Sequence, residues 1–486
     1  MWHPQGDPMS PYLFVLSMDK LTHIISDVIE TGRWKPMRAG RNGPWISHLM
    51  FVDDLLIFGQ ATTETMTAVR EVLDTFSAMS GHKVNYDKSS IFFSENVCTS
   101  LRTILSAQSG FKETNTLGNY LGVPALGRTP RVNDFNYLIE KVKKSLAGWK
   151  SKQLSLAGRI TLAKSVIQAI PVYPMMSMPI PKSCLYKIDK IQRAFIWGDG
   201  EEKKKMHLIS WNKITMPKHC GGVGLRRLDY MNDACLMKMG WSLMVGEHSL
   251  WGQVLLGKHG REFETRGKLT SPNDSALWKA IVRLWPKMEE FRCWNIGDGS
   301  RVNFWKDKWI DGQLRLIDVG ANVPPEARDW KLKDMVNERE DWKFDMLSNI
   351  LPPAIILRMH AILPPNTRDG ADKLIWPGEN SGRFTVHAAY KLIANNQVAE
   401  SSTVWNQIWR INVMERIRVF VWQLKHGRLL TRQWLARMKL GEPYCDNCYQ
   451  FEESILHVIR DCPIAVQTWQ HLLHNNGRGD FFLAQL

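Results

Sequence analysis

Long apolar runs are what this 486-residue sequence has least of. Its longest stretch without a charged residue, Ser165 to Pro181, carries Pro171, Pro174, Pro179 and Pro181. Proline removes a backbone donor and crowds the preceding turn, so this stretch cannot run as a membrane helix. The start, Met1-Trp2-His3-Pro4, has no basic segment leading into an apolar one, and neither a signal peptide nor a membrane partner is expected. Cysteine is scarce as well: of eight, Cys98, Cys184, Cys220, Cys235 and Cys293 are widely scattered. A disulfide framework is therefore not expected, and reduced thiols point to an intracellular protein, the nucleus included. No fixed-period repeat and no low-complexity segment occurs, which excludes solenoids and disordered tails.

What is present is material for packed cores. Apolar residues make up 44% and charged residues 23%, and the length suits about three domains of ordinary size. Lysine and arginine number 63 against 48 acids, a net of +15. That excess is concentrated: residues 1–140 carry net −2, residues 141–230 net +13 and residues 231–486 net +4. A basic block on folded elements fits a polyanion, most often nucleic acid, while the plainer reading is a solvated basic surface.

The pattern along the chain is α+β, multidomain and helix-rich. Ser10-Pro11 offers an N-cap and a first-turn proline, and apolar residues at helical spacing follow up to Gly32. A second helix runs from Met66 to Met79 and stops at Gly81, with strand-like pieces expected around 83–85 and 89–93. Residues 135–197 read as helical with a proline-rich interruption, and 230–290 as helical again. Trp294 to Trp305 reads as two short strands around Gly297-Asp298-Gly299. The 21 tryptophans are expected mostly as core anchors, with base stacking by a few left open.

Two constellations carry chemistry. Asp53 and Asp54 interrupt the apolar segment His48 to Phe58, and a hairpin with the acids at its tip and buried arms is expected. Charges inside a core segment are costly unless paired or metal-bound. A hard divalent cation such as magnesium explains them, as does a polar turn in which aspartate is common. The second is Cys445-x2-Cys448-x8-His457-x4-Cys462. Soft thiolates and an imidazole at this spacing suit tetrahedral zinc, and four protein ligands leave no open position, so a structural site is expected.

The order of several short motifs adds a resemblance. Gln5-Gly6-Asp7-Pro8-Met9-Ser10-Pro11 precedes the first helix. After the paired acids come Ser80-Gly81-His82-Lys83-Val84-Asn85 with Lys88-Ser89, then Tyr120-Leu121-Gly122-Val123. In this order the pieces resemble the palm of reverse transcriptases of plant-like non-LTR (LINE-type) retrotransposons. Gly148-Trp149-Lys150, Leu154 to Arg159, Phe195-Ile196-Trp197-Gly198, Trp211 with Gly221-Gly222-Val223-Gly224, and Trp294 to Asp307 continue the resemblance. Trp405 to Leu473 is similar to the zinc-binding domain that follows such palms. Val52 departs from the alanine usual there.

The resemblance implies a partial palm at 1–130, a basic thumb-like region at 131–230, a helical and short-strand connector at 231–365 and a small helical zinc-binding domain at 380–475. It implies that Asp53, with Asp54 beside it, binds catalytic magnesium. Gln5 and Gly6 would border the incoming nucleotide, Lys83 or Lys88 would act near the leaving pyrophosphate, and Tyr120, Leu121 and Gly122 would hold the primer end. Lys141, Lys143, Lys144, Lys150, Lys152 and Arg159 would meet the template–primer duplex, while Lys203-Lys204-Lys205 reads as a solvated loop. The implied partners are an RNA template, a DNA primer and deoxynucleoside triphosphates. The family's fingers and first metal-binding aspartate would precede Gln5, and only 24 residues follow Cys462, too few for a ribonuclease H domain. The expectation is a fragment of an RNA-directed DNA polymerase, inactive alone. The alternatives are a non-catalytic nucleic-acid-binding zinc protein and a product with no selected role.

Overall fold

A 21-residue helix, Ser10–Glu30, opens the chain, and Pro11 in its first turn needs no N–H there. Ser10 is its first residue rather than its cap, since the N-cap is Met9 and no side chain caps it. Leu21, Ile25 and Val28 recur at helical spacing and bury one face against Val69, Val72, Leu73 and Phe76 of a second helix, Thr63–Ser80. Thr62 caps that helix through the Thr65 N–H, and Gly81 ends it at φ +76°, a conformation that suits glycine.

The computed structural model describes residues 6–147, 153–200, 204–246, 249–265, 270–319, 323–377, 381–395, 402–473 and 481–482. It is helix-rich α+β, with only small two-stranded sheets among these residues. The chain divides into two compact units, residues 1–130 with 239–374 and residues 131–238 with 375–486.

In the first unit the two helices form the floor under an antiparallel hairpin, His48–Phe51 and Asp54–Ile57. The arms are half-buried rather than buried, because a strand alternates its faces and only one face lies on the helices. Residues 83–85 form no strand, and pairing in that region is limited to Ser90–Ile91 against Lys112–Glu113, in parallel. The second core of this unit gathers Trp294, Phe304, Trp305, Trp309 and Trp342. Only Cys293–Asn295 of the two expected strands forms. Past it the chain wraps around Asp372, whose carboxylate accepts the N–H groups of Gly297 (2.8 Å), Gly299 (2.9 Å) and Arg301 (2.9 Å). Gly297 has no room for a Cβ, which would lie 2.3 Å from the Gly370 carbonyl oxygen.

The second unit is built of helices around one large core. Asn136–Ala147, Leu156–Leu162, Lys182–Trp197 and Glu415–Lys425 contribute Leu138, Ile160, Ile188 and Trp422 to it. The proline-rich interruption becomes a short helix, Val172–Met175, with Met175 fully buried. Trp422 donates its indole N–H to the Gly221 carbonyl at 2.7 Å, tying the glycine loop to the C-terminal helices. Tryptophans of both units, among them Trp34, Trp305, Trp376 and Trp422, are fully buried, as their area dictates. No helix among the described residues is long and apolar enough to cross a membrane.

Candidate functional site

The acidic hairpin is positioned by its register. His48 pairs with Ile57, Leu49 with Leu56, Met50 with Leu55 and Phe51 with Asp54, leaving Val52-Asp53 as the two-residue tip. Met50, Leu55 and Ile57 face the helical core, and the Trp34 indole N–H holds the far end by donating to the Phe58 carbonyl at 3.0 Å. Val52 turns the chain at φ +52°, a region that β-branched residues rarely enter. Such strain costs on the order of 1–3 kcal/mol and persists only where the surroundings impose it. Asp53 and Asp54 are both exposed, beside an exposed Phe51. The acids therefore do not carry the burial cost expected of a charged core segment. Adjacent exposed carboxylates are hard oxygen donors that can share a divalent cation with water and phosphate oxygens.

The other expected residues of this unit lie at turns. Gly6 adopts φ +95°, while Gln5 falls outside the described residues. Lys83 and Lys88 are exposed, and the Lys88 N–H is held by the Asn85 side chain at 3.2 Å. Tyr120 pairs with Val123 across a tight turn in which Leu121 and Gly122 both have positive φ, +51° and +76°. That turn presents Gly122 to solvent and leaves Tyr120 and Leu121 half-buried.

In the second unit Lys141, Lys143 and Lys144 line the exposed face of Asn136–Ala147, whose opposite face buries Leu138, Ile139 and Val142. Lys143 pairs with Glu140 at 2.9 Å. Lys150 and Lys152 lie outside the described residues, as does Lys203. Arg159 departs from the expectation of a surface contact. It is buried, and its guanidinium packs on Gly198, where a Cβ would come within 2.2 Å of it. Charge alone could not separate Arg159 from the lysines.

The zinc-type ligands converge. One ligand atom from each of Cys445, Cys448, His457 and Cys462 lies within 4.8 Å of the others, and Cys448 Sγ sits 3.4 Å from His457 Nε2. A tight turn joins Cys445 to Cys448, with the Tyr449 N–H donating to the Cys445 carbonyl at 2.8 Å and Tyr449 at φ +56°. One wide helical turn, His457–Asp461, closes with the Cys462 N–H on the His457 carbonyl at 2.8 Å and sets those two ligands side by side. The N–H groups of Gln450 and Phe451 hold the Cys448 thiol below its ordinary pKa, favouring the thiolate a metal needs. Three sulfurs and one imidazole within tetrahedral reach fit Zn²⁺ with no position left for substrate.

Two acids escaped the sequence reading. Asp372 gave no local signal, although Gly297 and Gly299 marked a close backbone approach. Asp189 stands alone among the bases Lys182, Lys187, Lys190 and Arg193 on Lys182–Trp197, which was a signal in itself. Burial, and next the charge of Asp229, push its carboxyl up to about 7.

Residues 2–125 match the family described as reverse transcriptase (RNA-dependent DNA polymerase), and residues 384–469 match zinc-binding in reverse transcriptase. Two segments of the chain are thus similar to parts of reverse transcriptases. A putative ribonuclease H protein of Arabidopsis thaliana is 30% identical over 370 residues, which cover 75% of this chain and 60% of the relative. The match thus spans about three-fifths of that relative's length. An uncharacterized mitochondrial protein of Arabidopsis thaliana is 27% identical over 149 residues, 30% of this chain and 97% of its own. A second one is 46% identical over 50 residues, 10% of this chain and 41% of its own. The Cys445-Cys448-His457-Cys462 cluster falls inside the matched zinc-binding segment, and family and geometry together support zinc there.

Proposed function

We propose that this chain is part of the RNA-directed DNA polymerase of a non-LTR retrotransposon. The observation that carries the reading is the pair Asp53-Asp54, presented on an exposed hairpin tip inside the reverse transcriptase segment. In this reading the two carboxylates hold magnesium, which when bound supplies positive charge to the phosphates of the nucleotide. Gln5 and Gly6 border the incoming nucleotide, Lys83 or Lys88 meets its pyrophosphate, and the Tyr120–Gly122 turn holds the primer end. Residues 1–130 act as a partial palm, 131–230 as a thumb-like duplex holder, 231–365 as a connector and 380–475 as a zinc-stapled domain. The partners are an RNA template, a DNA primer and deoxynucleoside triphosphates.

The isolated chain is inactive as a polymerase in this reading. Two neighbouring carboxylates on one tip give a magnesium site few protein ligands, and among the described residues no third His, Cys, Asp or Glu joins them. The second reading, a non-catalytic nucleic-acid-binding zinc protein, is favoured by the lysine face of Asn136–Ala147. Lysine contacts to phosphate position nucleic acid without reading sequence and release counterions.

Primer extension on an RNA template with the full chain and magnesium tests the first reading. No synthesis is expected, and synthesis that Asp53→Asn abolishes would overturn the claim of inactivity while keeping the polymerase assignment. Salt titration of duplex binding tests the second. Replacing Lys141, Lys143 and Lys144 by alanine is expected to lower the slope of log affinity against log salt by about 2–3. An unchanged slope would remove this helix from the interface.

A further inference from the structure

The second unit carries a cavity of about 350 Å³ beside the helix Lys182–Trp197, lined by no residue of the acidic hairpin or the zinc cluster. Tyr186, Asp189, Lys190 and Arg193 line it from the helix, and Trp211 and Arg227 line it from the segments opposite. Two of its polar groups are left over side by side. Asp189 Oδ1 is buried and accepts no hydrogen bond, and Trp211 Nε1 is buried and donates none. The indole lies close enough to draw the carboxyl pKa down, yet the two do not meet hydrogen-bond geometry. A buried unpaired carboxylate oxygen is costly, and proteins keep such groups where a ligand completes them.

The surrounding charge says what kind of ligand. Lys190 and Arg193 have no salt-bridge partner among the described residues, whereas Arg227 is held by Asp229 at 2.8 Å and stacks over Tyr230. Lys190 and Arg193, the latter within electrostatic reach of Asp189, put positive charge at the rim that suits a phosphate. Tyr186 is 62% exposed at the mouth, an aromatic face open to stacking. The orphaned groups present an acceptor next to a donor, and the complement is a donor next to an acceptor. Every nucleobase offers that pair on its Watson–Crick edge, but only when it is unpaired. The cavity volume lies within the range of small-molecule sites.

We propose that this cavity takes one unpaired nucleotide of a single-stranded nucleic acid. The Watson–Crick edge of its base meets Asp189 and Trp211, its ring stacks on Tyr186, and its phosphate lies on Lys190 and Arg193. The assignment rests on the nucleic-acid reading above and adds a base-contacting subsite that prefers single strands, because a duplex has already used that edge.

The sign of one mutation separates this from a simple phosphate patch. Next to a phosphate, a carboxylate repels, so removing its charge tightens binding. Next to a base donor it attracts, so removing its charge loosens binding. The test is fluorescence anisotropy on the full chain at pH 8 with a labelled oligocytidine 12-mer and a 12-mer of the same backbone lacking bases. Wild-type protein is expected to bind the base-bearing strand more tightly, and this arm needs no variant to fold. Asp189→Asn, with Asp189→Ala beside it, is expected to weaken the base-bearing strand about tenfold and leave the abasic strand unchanged or tighter. Equal affinity of the two strands for wild-type protein, or tighter binding of both by the variants, would overturn the subsite and leave general nucleic-acid binding standing. No binding of either strand at low salt would overturn both.

Discussion

Two places in the molecule gather candidate metal ligands, and they are opposite in design. At the zinc cluster four side chains from a tight turn and one wide helical turn converge, and Cys445, His457 and Cys462 are buried. At the hairpin tip two carboxylates point outward from a strained two-residue turn. The first arrangement is complete within some twenty residues of sequence and suits a metal that holds a fold together. The second leaves most of a cation's coordination to other groups, as a site handling phosphates requires. Closure marks a structural site, and openness one that waits for partners.

The largest test of that contrast removes the closed site. Cys445→Ser with Cys448→Ser should abolish an otherwise stoichiometric zinc content and melt the segment around 444–472, read by metal analysis and hydrogen exchange. Structural zinc is worth about 10 kcal/mol or more in small metal domains. Retained protection of this segment in the metal-free variant would break the comparison. The next test asks whether a carboxylate can be closed without a metal. Asp372→Ala strips three backbone N–H groups of their acceptor, and a loss of about 3–5 kcal/mol in denaturant unfolding is expected. Asp372 is thus a structural clamp.

Asp189 stands between the two designs, buried yet unsatisfied. Its carboxyl is raised to about 7 in the folded chain, so the folded state holds a proton the unfolded chain has released. Stability from this group is present below about pH 4 and lost as pH rises through 7. Asp189→Asn should therefore raise stability at pH 8 by about 2 kcal/mol and change little at pH 4, as read by urea unfolding at both pH values. Equal effects at the two pH values would mean that the carboxyl is not buried in this way. The smallest effect is expected at the open site. Asp53→Asn should change stability by no more than about 0.5 kcal/mol, since both acids are exposed. A larger loss would show that the tip acids hold the hairpin together.

These differences also explain what the sequence could reveal. The zinc ligands were legible because each pair is linked by a short local spacing. The hairpin was legible as two apolar arms around two acids, though its half-exposed faces were not, because burial depends on what covers the sheet. Arg159 and Lys141 look alike as letters, and only tertiary packing put one against Gly198 and the other in water. The pairing expected within 294–305 failed for a related reason. The strand that does form, Cys293–Asn295, pairs with Lys373–Ile375, and the N–H groups of Gly297, Gly299 and Arg301 go to the adjacent Asp372, partners too distant for any local pattern to announce.

That distance has a consequence for how the chain is made. The loop from Gly297 to Arg301 waits for a residue up to 75 positions later in the chain. During synthesis its N–H groups stay with water until that stretch has emerged, and closing so long a loop is entropically slow. The tryptophan-rich core beside it should accordingly set only once that stretch has emerged. Until then it exposes its aromatic surface, which makes this interval one in which the newborn chain is vulnerable to aggregation.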